Sequence, residues 1–340
     1  MLPRPLSRVW SRGRPRVGML RVLVYHRVYK PAGISNGDPH VLSATPTNFD
    51  AQIRYLARHY VPITAQTAAA ALRGETRLPR RAVLVTFDDG YRDFLTEAWP
   101  VLKRYGVPAL LFVPTAFAGT VRTFWWDELY AMVAGTDAPE VRVSGLGTYP
   151  LGTAEARWRT VRSLNRLFKH LTPDVLMARL QELRGVIGAV GPMQCAVLTW
   201  DDLRGLAAEG LAVGSHGRSH AALPYLPGSQ LMDELCQAHA DLKRELGQFS
   251  PLFSYPYGLA DSRAVPTLRE LGYVGAFISL LGRNFVGRRD PFMLYRHSVN
   301  LGQSLPGFAM RLSTAYLGTR EFGRAQKAWL QQRVVRLMPA

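Results

Sequence analysis

Short apolar runs rich in β-branched and aromatic residues recur along the chain, most of them ending in a polar or glycine-containing turn. They are RVLVY (21–25), AVLVTF (82–87), ALLFV (109–113), LAVGS (211–215), LFSY (252–255), GAFIS (275–279) and FMLYR (292–296). Runs of this length and composition read as buried strands. Helical patterns lie between several of them. NFDAQIRYLARHY offers Asn48 as a cap and places Phe49, Ile53, Leu56 and Ala57 at helical spacing. TWDDLRGLAAEG opens on Thr199 and stops at Gly210, and DELCQAHADLKRELG stops at Gly247, both glycine signals for a helix end. Strand alternating with helix predicts an α/β chain with a parallel sheet. About seven such strands favour a (β/α) barrel over an open sheet.

The stretch 122–198 breaks this rhythm. It begins TFWWDELY, passes through the glycine-rich VSGLGTYPLG, and continues as EARWRTVRSLNRLFKHLTPDVLMARLQELRG, with Trp158, Val161, Leu164, Leu167, Phe168 and Leu171 at helical spacing. It reads as a mainly helical insertion on the barrel rim. The resulting organisation is a basic arm (1–20), a barrel (21–300) carrying the insertion, and a basic helical tail (301–340).

Charge supports that division. Residues 1–30 hold eight Arg or Lys and no acid, and residues 301–340 hold six against Glu321, so the ends carry +13 of the net +17. A nucleic-acid groove would place its charge in the body instead. Basic ends read first as solvated tails, and second as peripheral contacts with anionic membrane; FGRAQKAWLQQRVVRLM (322–338) has the makings of an amphipathic helix. The N-terminal stretch has a signal peptide's positive charge but no uninterrupted apolar segment, which points to a cytoplasmic protein. Cys195 and Cys236 have no metal-type spacing and read as reduced, buried small hydrophobes, with a single disulfide between them as the alternative.

Polar residues follow the strand ends closely: His26 after the first, Asp88 and Asp89 after the second, Ser215, His216 and His220 around the fourth, Pro256, Tyr257 and Gly258 after the fifth, Arg296 and His297 in the last. In parallel barrels such positions converge on one mouth. FDDG (87–90) alone reads as a turn. SHGRSH (215–220) spaces two imidazoles four apart, which on a helical turn stacks them on one face. Two histidines and one aspartate make a three-ligand site that leaves positions open for water and substrate. Successive side chains at a strand end point to opposite sides, so one aspartate would bind the ion while its neighbour acts as a base. His59, His170 and His239 lie in helical patterns and read as surface residues, while His40 sits in a loop and carries no signal.

TFDDG, SHGRSH and FSYPYG, in that order, resemble the first three motifs of the polysaccharide deacetylase family (carbohydrate esterase family four), and VLVYHRV and LTWDDLRGLAAEGLAVGSH resemble a subgroup of it. The resemblance covers roughly 20–121 and 199–298. It implies a distorted (β/α) barrel and metal-dependent hydrolysis of an N- or O-acetyl group on an amino-sugar glycan or precursor. Carried over by position, Asp88 would be the general base. Asp89, His216 and His220 would hold one divalent ion, Zn²⁺ first, with Co, Ni or Mn as alternatives. Pro256 and Tyr257 would meet the substrate, the Tyr257 backbone N–H beside the oxyanion. Ser254 stands where the family often carries arginine, and the family's later motifs have no clear counterpart. LYRHSVN supplies the candidates: Arg296 to restrain Asp88, and His297 to protonate the leaving nitrogen. His26 reads equally as a rim residue or a substrate contact. Two other readings stay open: an amidase of the same barrel acting on a small non-sugar amide, and a non-catalytic membrane-surface or partner-binding relative.

Overall fold

Each of the seven apolar runs contains a strand. In a computed structural model describing residues 18–31, 37–188 and 196–319, these strands are β1 (Met19–Tyr25), β2 (Ala82–Phe87), β3 (Ala109–Val113), β4 (Ala212–Ser215), β5 (Leu252–Ser254), β6 (Gly275–Ile278) and β7 (Leu294–Tyr295). Each pairs in parallel with the next, so spatial order equals chain order. A short β8 (His297–Ser298) then pairs in parallel with β1, Leu23 opposite His297. Only Arg296 separates β7 from β8. The sheet therefore closes into a nearly complete barrel with Arg296 at its seam. Asn284, fully buried, stitches this seam: its Nδ2 donates to the Leu20 and Tyr295 carbonyls and its Oδ1 accepts from the Tyr295 N–H.

The period-2 alternation of strands sorts the side chains. Val22, Leu84, Leu110, Phe112 and Phe277 pack together in the barrel interior. Leu23, Val83, Val85, Leu111 and Val113 face outward and join a second core with the surrounding helices. Those helices are α1 (Pro46–His59), α2 (Ala65–Leu72), α3 (Trp99–Arg104), α4 (Trp125–Gly135), α5 (Ala154–Phe168), α6 (Pro173–Ile187), α7 (Trp200–Ala208), α8 (Gly228–Leu246), α9 (Ala264–Glu270) and α10 (Leu305–Leu312). α7 has the expected Thr199 start, as a capping box with Asp202, and α8 ends on Gly247 at a left-handed φ of 71°.

Several expectations need correcting. The cap of α1 is Thr45, whose side chain accepts from the Asn48 N–H, because Pro46 is better placed as the first helical residue than as a linker. FMLYR is only partly a strand: Pro291–Met293 form a 3₁₀ turn before β7. Cys236 is a free thiol on the exposed face of α8, not a core residue. Cys195, the arm 1–17 and the tail from 320 onward, including the amphipathic stretch 322–338, lie outside the described residues. No helix among the described residues is long and apolar enough to cross a membrane.

The 122–198 stretch holds α4, an antiparallel hairpin (Glu140–Val143 with Gly147–Pro150), α5 and α6. It builds its own core from residues such as Trp125, Leu129, Val141, Val161, Leu164 and Phe168, joined by Tyr91 and Val197. Of the apolar residues read at helical spacing, Val161, Leu164 and Phe168 are buried, whereas Trp158 and Leu167 are exposed. Trp158 instead stacks on His40, ring centroids 4.2 Å apart.

Asp127 of α4 anchors the insertion. Fully buried, it accepts hydrogen bonds from the Tyr91 hydroxyl (2.6 Å) and the Asp38 N–H (2.7 Å). Burial pushes its carboxyl from 3.8 up to about 7; the nearby Asp38 charge adds to this, while Arg27 and the two hydrogen bonds oppose it. The folded carboxyl thus keeps its proton better than the unfolded one. Its contribution to stability is fully present below pH about 3.8 and is lost as pH rises towards 7. Asp127→Asn, which cannot ionise, is expected to flatten the decline in unfolding free energy across that window, as measured by denaturant titrations at a series of pH values.

Candidate active site

The C-terminal ends of the strands open onto a cavity of about 470 Å³ lined by His26, Asp88, Asp89, His216, His220 and Tyr257, among others. Asp88 continues the inward-pointing series Leu84, Thr86, Asp88 of β2. Asp89 then leaves strand geometry: its φ of 75° lies in the left-handed region. Both carboxylates consequently approach the same imidazole, Asp88 Oδ2 and Asp89 Oδ1 each 3.6 Å from His216 Nε2. The expected opposed orientation does not occur, because the chain turns between the two residues.

Arg296 reaches from the seam to grip Asp88, Nη1 to Oδ1 and Nη2 to Oδ2, both at 2.7 Å. Ser254 Oγ adds a 3.2 Å bond to Oδ2. Burial works to raise the Asp88 carboxyl, but Arg296, by its charge and its hydrogen bonds, holds it well below the usual carboxylate range. Arg296 thus occupies chemically the place that Ser254 leaves without a cation.

The two histidines do not share a helical face. SHGRSH is a loop after β4, and His220 has a left-handed φ of 59°. The buried Glu234 of α8 shapes this loop, accepting from the Arg218 N–H and Ser219 N–H at 2.7 Å each and from Ser219 Oγ at 2.8 Å. His216 Nδ1 donates to the Ser254 carbonyl at 2.7 Å, which leaves the Nε2 lone pair facing inward. Burial lowers His216 to about 4 and His220 to about 3, so both rings are neutral. Asp89 Oδ1 lies 3.3 Å from His220 Nε2, is buried, and has no hydrogen-bond partner. One atom from each of Asp89, His216 and His220 falls within 4.8 Å of the others. Three potential ligand atoms converge, two from imidazoles and one from a carboxylate. That donor set fits a single divalent cation.

Other expected residues are placed differently. His297 faces away from the cavity, with its ring towards Phe308 (6.2 Å between centroids) and Gln303, and burial lowers it to about 4. Alternation explains this: its neighbour Arg296 points inward. Tyr257 and Gly258 line the cavity, whereas Pro256 is buried and is not part of its lining. Tyr257 has a left-handed φ of 57°, and its ring meets His220 at 4.5 Å. His26 lies on the cavity wall near both aspartates. His40 and His170, read as carrying no site signal, also line the cavity.

The insertion contributes residues that the motifs did not indicate. Trp126 packs on the His220 ring (4.9 Å) and donates to the Tyr91 hydroxyl, and Trp125 donates to the Tyr257 hydroxyl at 2.9 Å. The available signal was the aromatic pair in TFWWDELY.

This geometry agrees with what known proteins share with the chain. The sequence model of the family named polysaccharide deacetylase matches residues 75–138 and 177–276. Poly-β-1,6-N-acetyl-D-glucosamine N-deacetylase of Escherichia coli is 25% identical over 252 residues, which is 69% of this chain but 31% of that protein. The chain thus spans about a third of that relative's length. Among solved structures, the deacetylase PplD of Streptococcus pyogenes superposes with a TM-score of 0.58 at 16% identity, over 87% of this chain and 99% of that one. IcaB from Ammonifex degensii gives 0.56 at 21%, over 89% and 98%. The fold is the deacetylase (β/α) barrel, and the sequence matches the model of the polysaccharide deacetylase family over 164 of its 340 residues.

Glu234 offers a test of how the imidazole loop is held. Glu234→Ala removes the two carboxylate oxygens that accept three hydrogen bonds from part-buried donors, a cost of about 1 kcal/mol per bond. It is expected to lower the thermal midpoint and to weaken metal binding about 10–100-fold, the usual effect of losing support behind a ligand. Titration with Zn²⁺ against a competing chelator measures this.

Proposed function

We propose that the chain is a metal-dependent hydrolase that removes an acetyl group, N-linked in the first instance, from an amino-sugar glycan or glycan precursor. The observation that carries this reading is the convergence of Asp89, His216 and His220 beside an Asp88 clamped by Arg296, at the mouth of a deacetylase-type barrel. The poly-N-acetylglucosamine deacetylases among its relatives support the substrate class.

In this reading Asp89, His216 and His220 hold the ion, Zn²⁺ being the first choice for a His₂Asp set. A divalent ion bound there polarises a carbonyl and makes a coordinated water more acidic. Asp88 takes up the proton of the attacking water. Arg296 fixes both of its oxygens, so the carboxylate is ionised and correctly aimed before substrate arrives. The same pairing makes Asp88 a weak base, which suits it to a water already rendered acidic. Tyr257 closes the cavity beside His220 and turns its strained backbone towards the acetyl group. The proton that Asp88 takes up is passed to the departing nitrogen, with His26, which faces the two aspartates from the end of β1, as the relay; His297 is turned the wrong way for that role. Trp126 and Tyr257 shield the imidazoles from bulk water.

Isosteric substitutions separate these roles. Asp89→Asn is expected to lose most bound metal, while Asp88→Asn keeps a metal content near wild type by elemental analysis. Asp88→Asn is still expected to slow acetate release from acetylated glucosamine oligomers by about 10²–10⁴-fold. Added Zn²⁺ partly rescues Asp89→Asn and does nothing for Asp88→Asn. Equal metal loss in both variants would overturn the division of labour. Failure of the metal-loaded wild type to release acetate from any acetylated amino sugar would overturn the reading itself.

A further inference from the structure

Four arginines of the insertion's helices have acceptors within the insertion. Arg157 donates to the Leu151 and Ala134 carbonyls, Arg159 pairs with Glu155, Arg179 with Glu182, and Arg184 with Glu128. Arg162 and Arg166 have no acidic partner among the described residues, although they lie on the same helix as Arg157 and Arg159. They and Lys169, just past the end of α5, line the cavity. The spacing 162, 165, 166, 169 places one helical stripe on the cavity side, while Val161, Leu164 and Phe168 hold the other face in the insertion's core. Lys169 Nζ sits 5.5 Å from the centroid of the Tyr257 ring, so the stripe reaches the acetyl end of the cavity.

The cavity's own acids offset these cations only in part: Asp38 and Asp89 act on Lys169 through space, but no carboxylate forms an ion pair with Arg162 or Arg166 among the described residues. Asp88 is taken by Arg296, and Asp89 faces the two imidazoles. Asp38 accepts from His40 and from Asn165 Nδ2. Asn165, within the stripe and nine-tenths buried, leaves its Oδ1 without a hydrogen-bond partner. An orphaned acceptor among unpaired cations is a costly arrangement for an empty wall and a useful one for a polyhydroxylated anion.

We propose that the cavity binds an acetylated amino sugar carrying an acidic substituent, with Arg162, Arg166 and Lys169 holding the oxyanion and Asn165 Oδ1 accepting from a sugar hydroxyl. The shared chemistry is an oxyanion on the sugar, whether a phosphate ester or a ring carboxylate. The proposal rests on the acetyl-hydrolase reading above and narrows its substrate. It also accounts for the product. Deacetylation creates an ammonium, which a bare cationic wall would repel; an acidic substituent offsets that repulsion. The wall lies outside the family match, which leaves residues 139–176 uncovered, and these include all of α5 and Lys169.

The test compares N-acetylglucosamine, N-acetylglucosamine 1-phosphate and N-acetylglucosaminuronic acid as substrates of the metal-loaded full chain. The acidic sugars are expected to show KM values about tenfold or more below that of the neutral sugar, an advantage that shrinks as salt is raised. The phosphate and carboxylate arms identify which oxyanion is preferred. In the Arg162→Ala/Arg166→Ala variant, kcat/KM should fall about tenfold further for acidic sugars than for the neutral one, mainly through KM. Arg162→Lys/Arg166→Lys should recover part of the difference. Equal KM values for all three sugars, or equal losses in the alanine variant, would overturn the proposal while leaving acetyl hydrolysis intact. If no sugar releases acetate, calorimetric binding of N-acetylglucosamine 1-phosphate decides: binding that the alanine variant abolishes supports the cationic wall, and binding that is absent or unchanged overturns it.

Discussion

A single buried ion pair ties this barrel to its chemistry. Arg296 and Asp88 are each 2% exposed and share two 2.7 Å hydrogen bonds. Bringing both charges out of water is costly, and only bidentate geometry with further satisfied neighbours repays it. Ser254 supplies one such neighbour, and the guanidinium lies 5.9 Å from the centroids of the Phe112 and Phe277 rings that top the interior core. Loss of either partner would strand a buried charge, at about 3–5 kcal/mol. Because Arg296 is also the one residue between β7 and β8, closing the barrel and aiming the carboxylate are the same event. The alternation that sends Arg296 inward is what sends His297 outward, so one strand register decides both assignments.

The insertion is more than an appendage. Its core includes Tyr91, two residues beyond Asp89, and its two tryptophans brace His220 and Tyr257. Its α5 then supplies the wall facing the aspartates. The mouth is therefore assembled from two sources: the barrel provides the donor set and the clamped Asp88, while the insertion provides packing and the cationic side chains of one wall. Relatives that share the barrel need not share that second half.

Much of the centre was legible in the sequence because its signals are local. Strand composition announced the parallel sheet, and polar residues directly after the strands announced which end was active. Asp88, Asp89, His216 and His220 were recognisable from spacing and order. What escaped depended on long-range contact. The spacing of SHGRSH fitted a helical turn, yet Glu234, well beyond it in the chain, holds it as a loop. His297 looked as available as Arg296 until the register of β8 was known. His170 looked like a surface residue and His40 carried no signal, because nothing in their neighbourhoods reveals that α5 leans over the mouth. Asn48 was a reasonable cap, but Thr45 before a proline was a better one.

Among the described residues, four other than glycine have left-handed backbones, and three of them, Asp89, His220 and Tyr257, stand around the imidazoles. Each such conformation costs about 1–3 kcal/mol and survives only where the surroundings over-determine it. The barrel, Glu234 and the tryptophans provide that surplus. The site's geometry is therefore bought with folding free energy, in advance of any ligand. An incoming ion or sugar has little backbone left to order, so its affinity is spent on selection rather than on assembly. A chain that has committed its strain this way should accept surface change freely and resist relaxation at these three positions, where even a glycine would ease the backbone only by surrendering the side chain that gives the strain its purpose.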